Sequence, residues 1–179
     1  FVPCDAIEAK KATVAAAKIW GPIYLRFGRE KTPVITTEET PYTPGKAEIF
    51  WQSKVPKVAI IACGPVLHNA LLAAKELEKE KIGTIVVNNH TVKPMDEKTI
   101  LEVVRKCGAV VTVEEHQVVG GMGSAVAELL AKKCPMPVEF VGMQDTFGES
   151  GTPKELIEKY GMGVKAIKAA VIRVLKRAK

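Results

Sequence analysis

The chain carries two kinds of hydrophobic pattern, separated by a stretch with none. From Asp5 to Ile19, small and apolar residues recur at helical spacing. Asp5 stands as an N-cap with Glu8 three residues on, the arrangement of a capping box, and Gly21-Pro22 ends the predicted helix. Ile23 to Phe27 is a short apolar run closed by Gly28, which predicts a strand. From Arg29 to Pro44 no period emerges. Three prolines (Pro33, Pro41 and Pro44) and the polar run Thr36 to Thr40 read as an irregular connector.

Beyond the connector the pattern becomes a regular alternation. Strands are predicted at 58–63, 82–88, 109–114 and 137–141. Helices are predicted from Gly64-Pro65 to about Lys81, from Pro94 and Asp96 to about Cys107, and over 124–133, 153–160 and 164–176. Short buried strands alternating with helices of this length predict a three-layer α/β/α domain with a mainly parallel sheet. Right-handed crossovers then place helices on both faces. The division expected is a fragment of a second α/β domain at 1–40, a linker at 41–53, and a complete domain at 54–179. One helix and one strand bury too little to fold alone, so residues 1–40 are expected to be held loosely.

Composition adds boundaries. The chain has 179 residues, 47% hydrophobic and 26% charged, ordinary for a globular protein. Its longest apolar runs fall far short of the roughly 20 residues of a membrane span. The net charge of +6 comes from dispersed Lys and Arg, with one cluster at Arg173, Lys176, Arg177 and Lys179. Cations there complement the end of the last helix. The basic stripe of a nucleic-acid reader is missing, so neither nucleic acid nor membrane is an expected partner. Anionic small substrates suit the charge better. Cys4, Cys63, Cys107 and Cys134 show no metal-ligand spacing and read as free thiols in a reducing cytoplasm. The start at Phe1, without Met, is expected to be a cut rather than a natural terminus.

Candidate chemistry is sparse. Gly120-Gly121-Met122-Gly123 joins a strand to a helix, where a phosphate could sit on the helix N-terminus. It lacks a full dinucleotide fingerprint, and close helix–sheet packing is the favoured explanation. His68, His90 and His116 share no metal spacing. Glu114 and Glu115 are adjacent in a strand and point to opposite faces. They cannot serve one substrate as an acid/base pair, and packing is expected of them.

An ordered set of words narrows the field. Phe1-Val2-Pro3-Cys4-Asp5, Arg26-Phe27-Gly28-Arg29, Gly45-Lys46-Ala47, His90-Thr91-Val92-Lys93-Pro94-Met95-Asp96, Val113-Glu114-Glu115-His116, Gly120 to Val126 and Asp145 to Gly151 follow one another. Together they resemble the C-terminal part of transketolases, especially the form split over two chains. The resemblance implies that residues 1–40 end a pyrimidine-binding domain and that 54–179 form the C-terminal domain. It implies an enzyme that moves a two-carbon ketol unit from a ketose phosphate to an aldose phosphate, with thiamine diphosphate as electron sink and Mg²⁺ beside it. It also implies a homodimer of the complete enzyme and an N-terminal cofactor-binding domain or subunit as partner. The family's catalytic, cofactor and metal residues match nothing here, so none is expected in this chain and no cofactor is expected to bind it alone. One position transfers: Arg29 matches the arginine that binds the substrate's phosphate, and a guanidinium fork suits that task. Arg26 has no such counterpart and is expected to make a structural ion pair. Alternatives are the C-terminal portion of deoxyxylulose-phosphate synthase, a 2-oxoacid dehydrogenase beta subunit, and a non-catalytic dimerisation or regulatory module.

Overall fold

The computed structural model describes residues 1–178. Five strands form one sheet: β1 (Glu48–Gln52), β2 (Pro56–Ala62), β3 (Gly83–Asn88), β4 (Val110–Gln117) and β5 (Val138–Met143). The order across the sheet is β1-β3-β2-β4-β5. β2 pairs in parallel with both β3 and β4, and β5 extends the parallel run. Only β1 is antiparallel, at the edge beside β3.

The central strands alternate between two cores. Val58, Ile60 and Ala62 of β2 face helices α2 (Leu67–Lys79) and α6 (Val164–Arg177), where Leu67, Ala70, Leu77, Ile167 and Val171 are buried. Ala59, Ile61 and Cys63 face α3 (Glu97–Cys107) and α4 (Met122–Lys133), against Ile100, Val104, Val126 and Leu130. Both faces of each inner strand are covered, which is why β2 and β3 read as continuous apolar runs rather than alternations. The short α5 (Pro153–Lys159) starts at Thr152, whose capping box with Glu155 is complete.

Two expectations about elements change. The run Ile23 to Phe27 is extended but joins no strand of this sheet. It has one partner: Phe1 donates to the Tyr24 carbonyl at 2.7 Å and accepts from Arg26 N–H at 2.9 Å. That is the bonding of a parallel bridge. With helix α1 (Ala6–Ala16) between them, the start of the chain is two irregular segments held together by this one bridge, and neither is a strand among the described residues. The second change is β1. Residues 48–52 were expected within the linker, yet Glu-Ile-Phe-Trp-Gln is long enough to pair with β3 as an edge strand.

Residues 1–36 are also anchored more firmly than expected. Val2 donates to the His90 carbonyl at 2.8 Å and accepts from Gly64 N–H at 3.0 Å. The Asp5 carboxylate takes N–H groups from Glu8, Ile35 and Thr36 and the Thr36 hydroxyl. The Lys11 ammonium donates to the carbonyls of Thr37, Glu38 and Thr40 at 2.7, 2.9 and 2.6 Å. The connector is therefore wrapped on α1 by the Asp5 carboxylate and two ammoniums, Lys11 and Lys10, the latter 3.1 Å from Glu38.

Glu8 locks α1 to the sheet. Its carboxylate, 2% exposed, accepts from Cys4 N–H and from Asn88 Nδ2, both at 2.7 Å. Burial pushes the carboxyl above its ordinary range, against those two hydrogen bonds, and the Asp5 charge adds to the rise. Cys4 and Tyr42 are the other titratable groups facing it, and both are held protonated by burial and by Glu8 itself. A carboxyl raised on folding stabilises the fold at acidic pH, and that contribution is lost as pH rises through the raised value. Asp5 has the opposite sign. Burial works against it, but its donors win and depress it, so its contribution is lost only as pH falls through the depressed value. Glu8→Gln should therefore flatten the decline in melting temperature as pH rises above the ordinary carboxylate range. The Asn88 carbonyl oxygen, buried and without a partner, can accept from the new amide once Asn88 turns over. Parallel pH profiles for the two proteins would contradict this role.

Candidate functional site

The sheet order places a switch point between β2 and β4: the connection after β2 leads one way, to β3, and the connection after β4 leads the other way, to β5. In open α/β sheets the crevice outside the carboxyl ends of such strands is the usual ligand site. Here a cleft of about 790 Å³ opens at that place. Cys63, Glu114, Glu115, His116 and Gly120 to Met122 form its sheet side, and Phe1, Ile19, Pro22 to Tyr24 and Arg26 form the opposite wall.

The floor of the cleft explains the glycine loop. Glu114 is 2% exposed and lies under the N-terminus of α4. Its two carboxylate oxygens accept from Met122 N–H at 2.7 Å and Gly123 N–H at 2.8 Å. The anion that a helix N-terminus attracts is supplied by the protein's own carboxylate. A Cβ on Gly121 would strike the Glu114 carboxylate, and one on Gly123 would meet Phe140 at 3.0 Å. Gly121 and Gly123 are glycines because a side chain and a strand press against them, and Gly120 because its φ of +78° is one that glycine favours. Burial pushes the Glu114 carboxyl up, opposed by those two N–H groups and by the charges of His116 and Arg26. Cys63 beside it is pushed up to about 12, chiefly by burial and then by the Glu114 charge, so it is a thiol and no nucleophile.

The histidines stay apart. His116 lines the cleft, half exposed, with Nδ1 2.8 Å from the Gln117 carbonyl and 3.9 Å from Glu114. His90 is fully buried, stacked on Tyr42 with ring centroids 4.2 Å apart, and burial lowers it to about 4. Among the described residues, no group of three or more His, Cys, Asp or Glu could hold a metal ion.

The two arginines of the strand-end pattern part company. Arg26 points into the molecule, and its Nη2 donates to the Glu115 carbonyl at 2.6 Å. The expected ion pair is thus a bond to a backbone oxygen, with the Glu114 charge nearby. Arg29 lies on a bend beyond Gly28, its side chain 93% exposed, 3.6 Å from Glu30. It does not line the cleft. Nearby in the sequence, Trp20 is fully exposed, Tyr24 and Val34 are largely so, and Phe27 is about half exposed.

The model of the transketolase C-terminal domain matches residues 45–167. The chain belongs to the transketolase family. Its matched region begins just before β1 and ends within α6, so the five-stranded unit described above is that domain. Over 177 residues the chain is 41% identical to a 6-deoxy-6-sulfo-D-fructose transketolase subunit from Clostridium sp. (strain MSTE9), covering 99% of this chain and 54% of that protein. It is 34% identical to human transketolase over 179 residues, which is 29% of the human protein. A solved split-gene transketolase, described as an inactive β4 tetramer, superposes with a TM-score of 0.94 at 42% identity, over all of this chain and 58% of that one. The transketolase of Campylobacter jejuni superposes at 0.72 with 26% identity, over 97% of this chain and 26% of the other. The chain thus spans about half the length of its split relatives and about a quarter of the single-chain ones. The family is one of transferase enzymes. Among the described residues, no helix is long and apolar enough to cross a membrane.

Proposed function

We propose that this chain is the C-terminal portion of a cytoplasmic transketolase that moves a two-carbon ketol unit from a ketose phosphate to an aldose phosphate. Residues 1–40 close the pyrimidine-binding domain and the remainder is the C-terminal domain, with β1 counted into its sheet rather than into the linker. The observation that carries this reading is the segment at the start of the chain, where Phe1 bridges to Tyr24 and Arg26 around α1. No strand among the described residues pairs with the outer side of Tyr24–Arg26, and Trp20, Tyr24 and Phe27 of this segment are exposed. An unpaired edge with a bare aromatic surface is one that a further sheet covers. The covering portion is the cofactor-binding half of the enzyme, and the complete enzyme is a homodimer of such pairs.

Thiamine diphosphate, when bound, supplies the electron sink for the carbon–carbon bond change. We assign its site, and that of Mg²⁺, to the other half of the enzyme, where the family resemblance puts those ligands. What this chain contributes to the reaction is Arg29. An exposed guanidinium just past an extended run offers a planar fork to a tetrahedral anion and holds the far end of the sugar. The fork fits a sulfonate as well as a phosphate, and the similarity to a sulfosugar transketolase subunit makes 6-deoxy-6-sulfo-fructose the second substrate to assay.

Calorimetry tests the division of labour. Titrating the purified chain with thiamine diphosphate and Mg²⁺ should give no heat of micromolar binding, and the same titration in the presence of the complementary half should give a stoichiometric one. Micromolar binding by this chain alone would overturn the assignment.

A further inference from the structure

Arg29 has no fixed place of its own. It sits on a bend with its side chain in water, and among the described residues its one ionic partner is the adjacent Glu30. A flexible arginine grips an anion only after its freedom is given up, which weakens the grip unless the backbone is already placed. The nearest fixed points lie on either side. On the far side, Ile35 and Thr36 donate to the Asp5 carboxylate at 2.8 and 2.6 Å. On the near side the fixed points belong to the C-terminal domain. Three residues before Arg29, Arg26 Nη2 donates to the Glu115 carbonyl at the end of β4, at 2.6 Å. One residue before it, Gly28 lies against the turn that opens α2: a Cβ there would be 3.3 Å from Pro65 Cγ.

We propose that the C-terminal domain holds Arg29 in position, with Arg26 as the positioning residue and the Glu115 carbonyl and Pro65 as its two abutments. The inference rests on the reading of Arg29 as the ligand of the substrate's phosphate and gives the C-terminal domain a part in that contact. The end of β4 is itself rigid. Glu114, the residue before the abutment, is tied by both oxygens to α4, and Cys63 at the end of β2 donates to the Val113 carbonyl at 3.2 Å. Arg26 thus transmits the position of a buried sheet end to an exposed loop three residues away. Glycine at 28 lets the backbone pass close to Pro65; a larger residue would lift the loop.

The test is kcat/KM for matched phosphorylated and unphosphorylated ketoses in the complete enzyme. It compares wild type, Arg26→Ala, Arg26→Lys, Gly28→Val, Arg29→Ala, and the Arg26→Ala/Arg29→Ala double variant. Arg26→Ala should lower kcat/KM on the phosphorylated substrate by on the order of tenfold, mostly through KM, and spare the unphosphorylated one. Lys at 26 keeps a donor for the carbonyl and should recover part of the loss. Gly28→Val, with both arginines intact, should show a smaller loss of the same selectivity. In the Arg29→Ala background, Arg26→Ala should cost nothing further, because there is no longer an arginine to place. Equal losses on both substrates for Arg26→Ala would mean a merely structural residue. Independent, multiplying losses in the double variant would mean that Arg26 binds the phosphate itself. Either overturns the inference while leaving a selective Arg29→Ala effect standing. If Arg29→Ala is itself unselective, the phosphate reading falls first and this inference falls with it.

Discussion

Arg29→Ala is expected to lower kcat/KM for ketose phosphates by about tenfold to a hundredfold while hardly changing it for the same sugars without phosphate. The size follows from the interaction: a charge-assisted hydrogen bond is worth roughly 1.5–3 kcal/mol, and about 1.4 kcal/mol corresponds to tenfold in rate. Part of the loss should appear in kcat, because binding energy from a remote phosphate can be used to orient the reacting carbonyl. Arg29→Lys should recover only a fraction, since the ammonium keeps the charge and loses the fork. The side chain is 93% exposed, so its removal should leave the melting temperature where it was. Steady-state kinetics on matched substrate pairs gives the answer, and equal losses on both would mean that Arg29 does not touch the phosphate.

The largest loss of stability is expected at Glu114. Glu114→Ala leaves the N–H groups of Met122 and Gly123 buried without an acceptor, and orphaned donors cost roughly 1–3 kcal/mol each. A loss of about 3 kcal/mol in all should lower the melting temperature by on the order of 10 °C at this chain length. Glu114→Gln retains one acceptor oxygen and should lose about half as much. The alanine variant also uncovers the anion site that the carboxylate fills, so sulfate or phosphate should restore part of its stability and leave wild type unaffected. Thermal denaturation with and without sulfate is the measurement. An alanine variant as stable as wild type, or one indifferent to anions, would contradict the role given to this carboxylate.

Much of the fold was legible because its signals are local. The apolar runs of β2 and β3 stand out against their turns, and Asp96 and Gly108 bracket α3 in its side-chain cap and left-handed end. The chemistry of Gly120 to Gly123 was legible only in part. Helix–sheet closeness is what glycines at that point predict, but nothing in the spacing of Glu114 and Met122 reveals that a strand carboxylate caps the helix; that needs the register of β4 against α4. β1 was missed because five residues beside a proline-rich stretch look like connector, although Ile49, Phe50 and Trp51 were a signal. The run Ile23 to Phe27 teaches the converse. Its residues have strand propensity and its backbone is extended, yet pairing is not a local property, and among the described residues only Phe1 bonds its backbone. Glu8 gave the sequence a helix cap, and the structure adds its grip on Asn88, 80 residues away. Arg29 could be singled out only through the family resemblance. No cluster or burial marks it: its side chain is 93% exposed and its ionic contact is with the adjacent Glu30.

The central claim is that this chain completes a ketol-transferring enzyme when joined to a cofactor-binding half. The direct measurement is a transfer assay with the purified chain, its complementary half, thiamine diphosphate and Mg²⁺, with a ketose phosphate and an aldose phosphate as substrates and the products read by mass. The account predicts an aldose phosphate two carbons shorter than the donor and a ketose phosphate two carbons longer than the acceptor, formed only when both polypeptides are present. Transfer that proceeds with this chain omitted, or no transfer when the two halves form a stable cofactor-loaded complex, would contradict it.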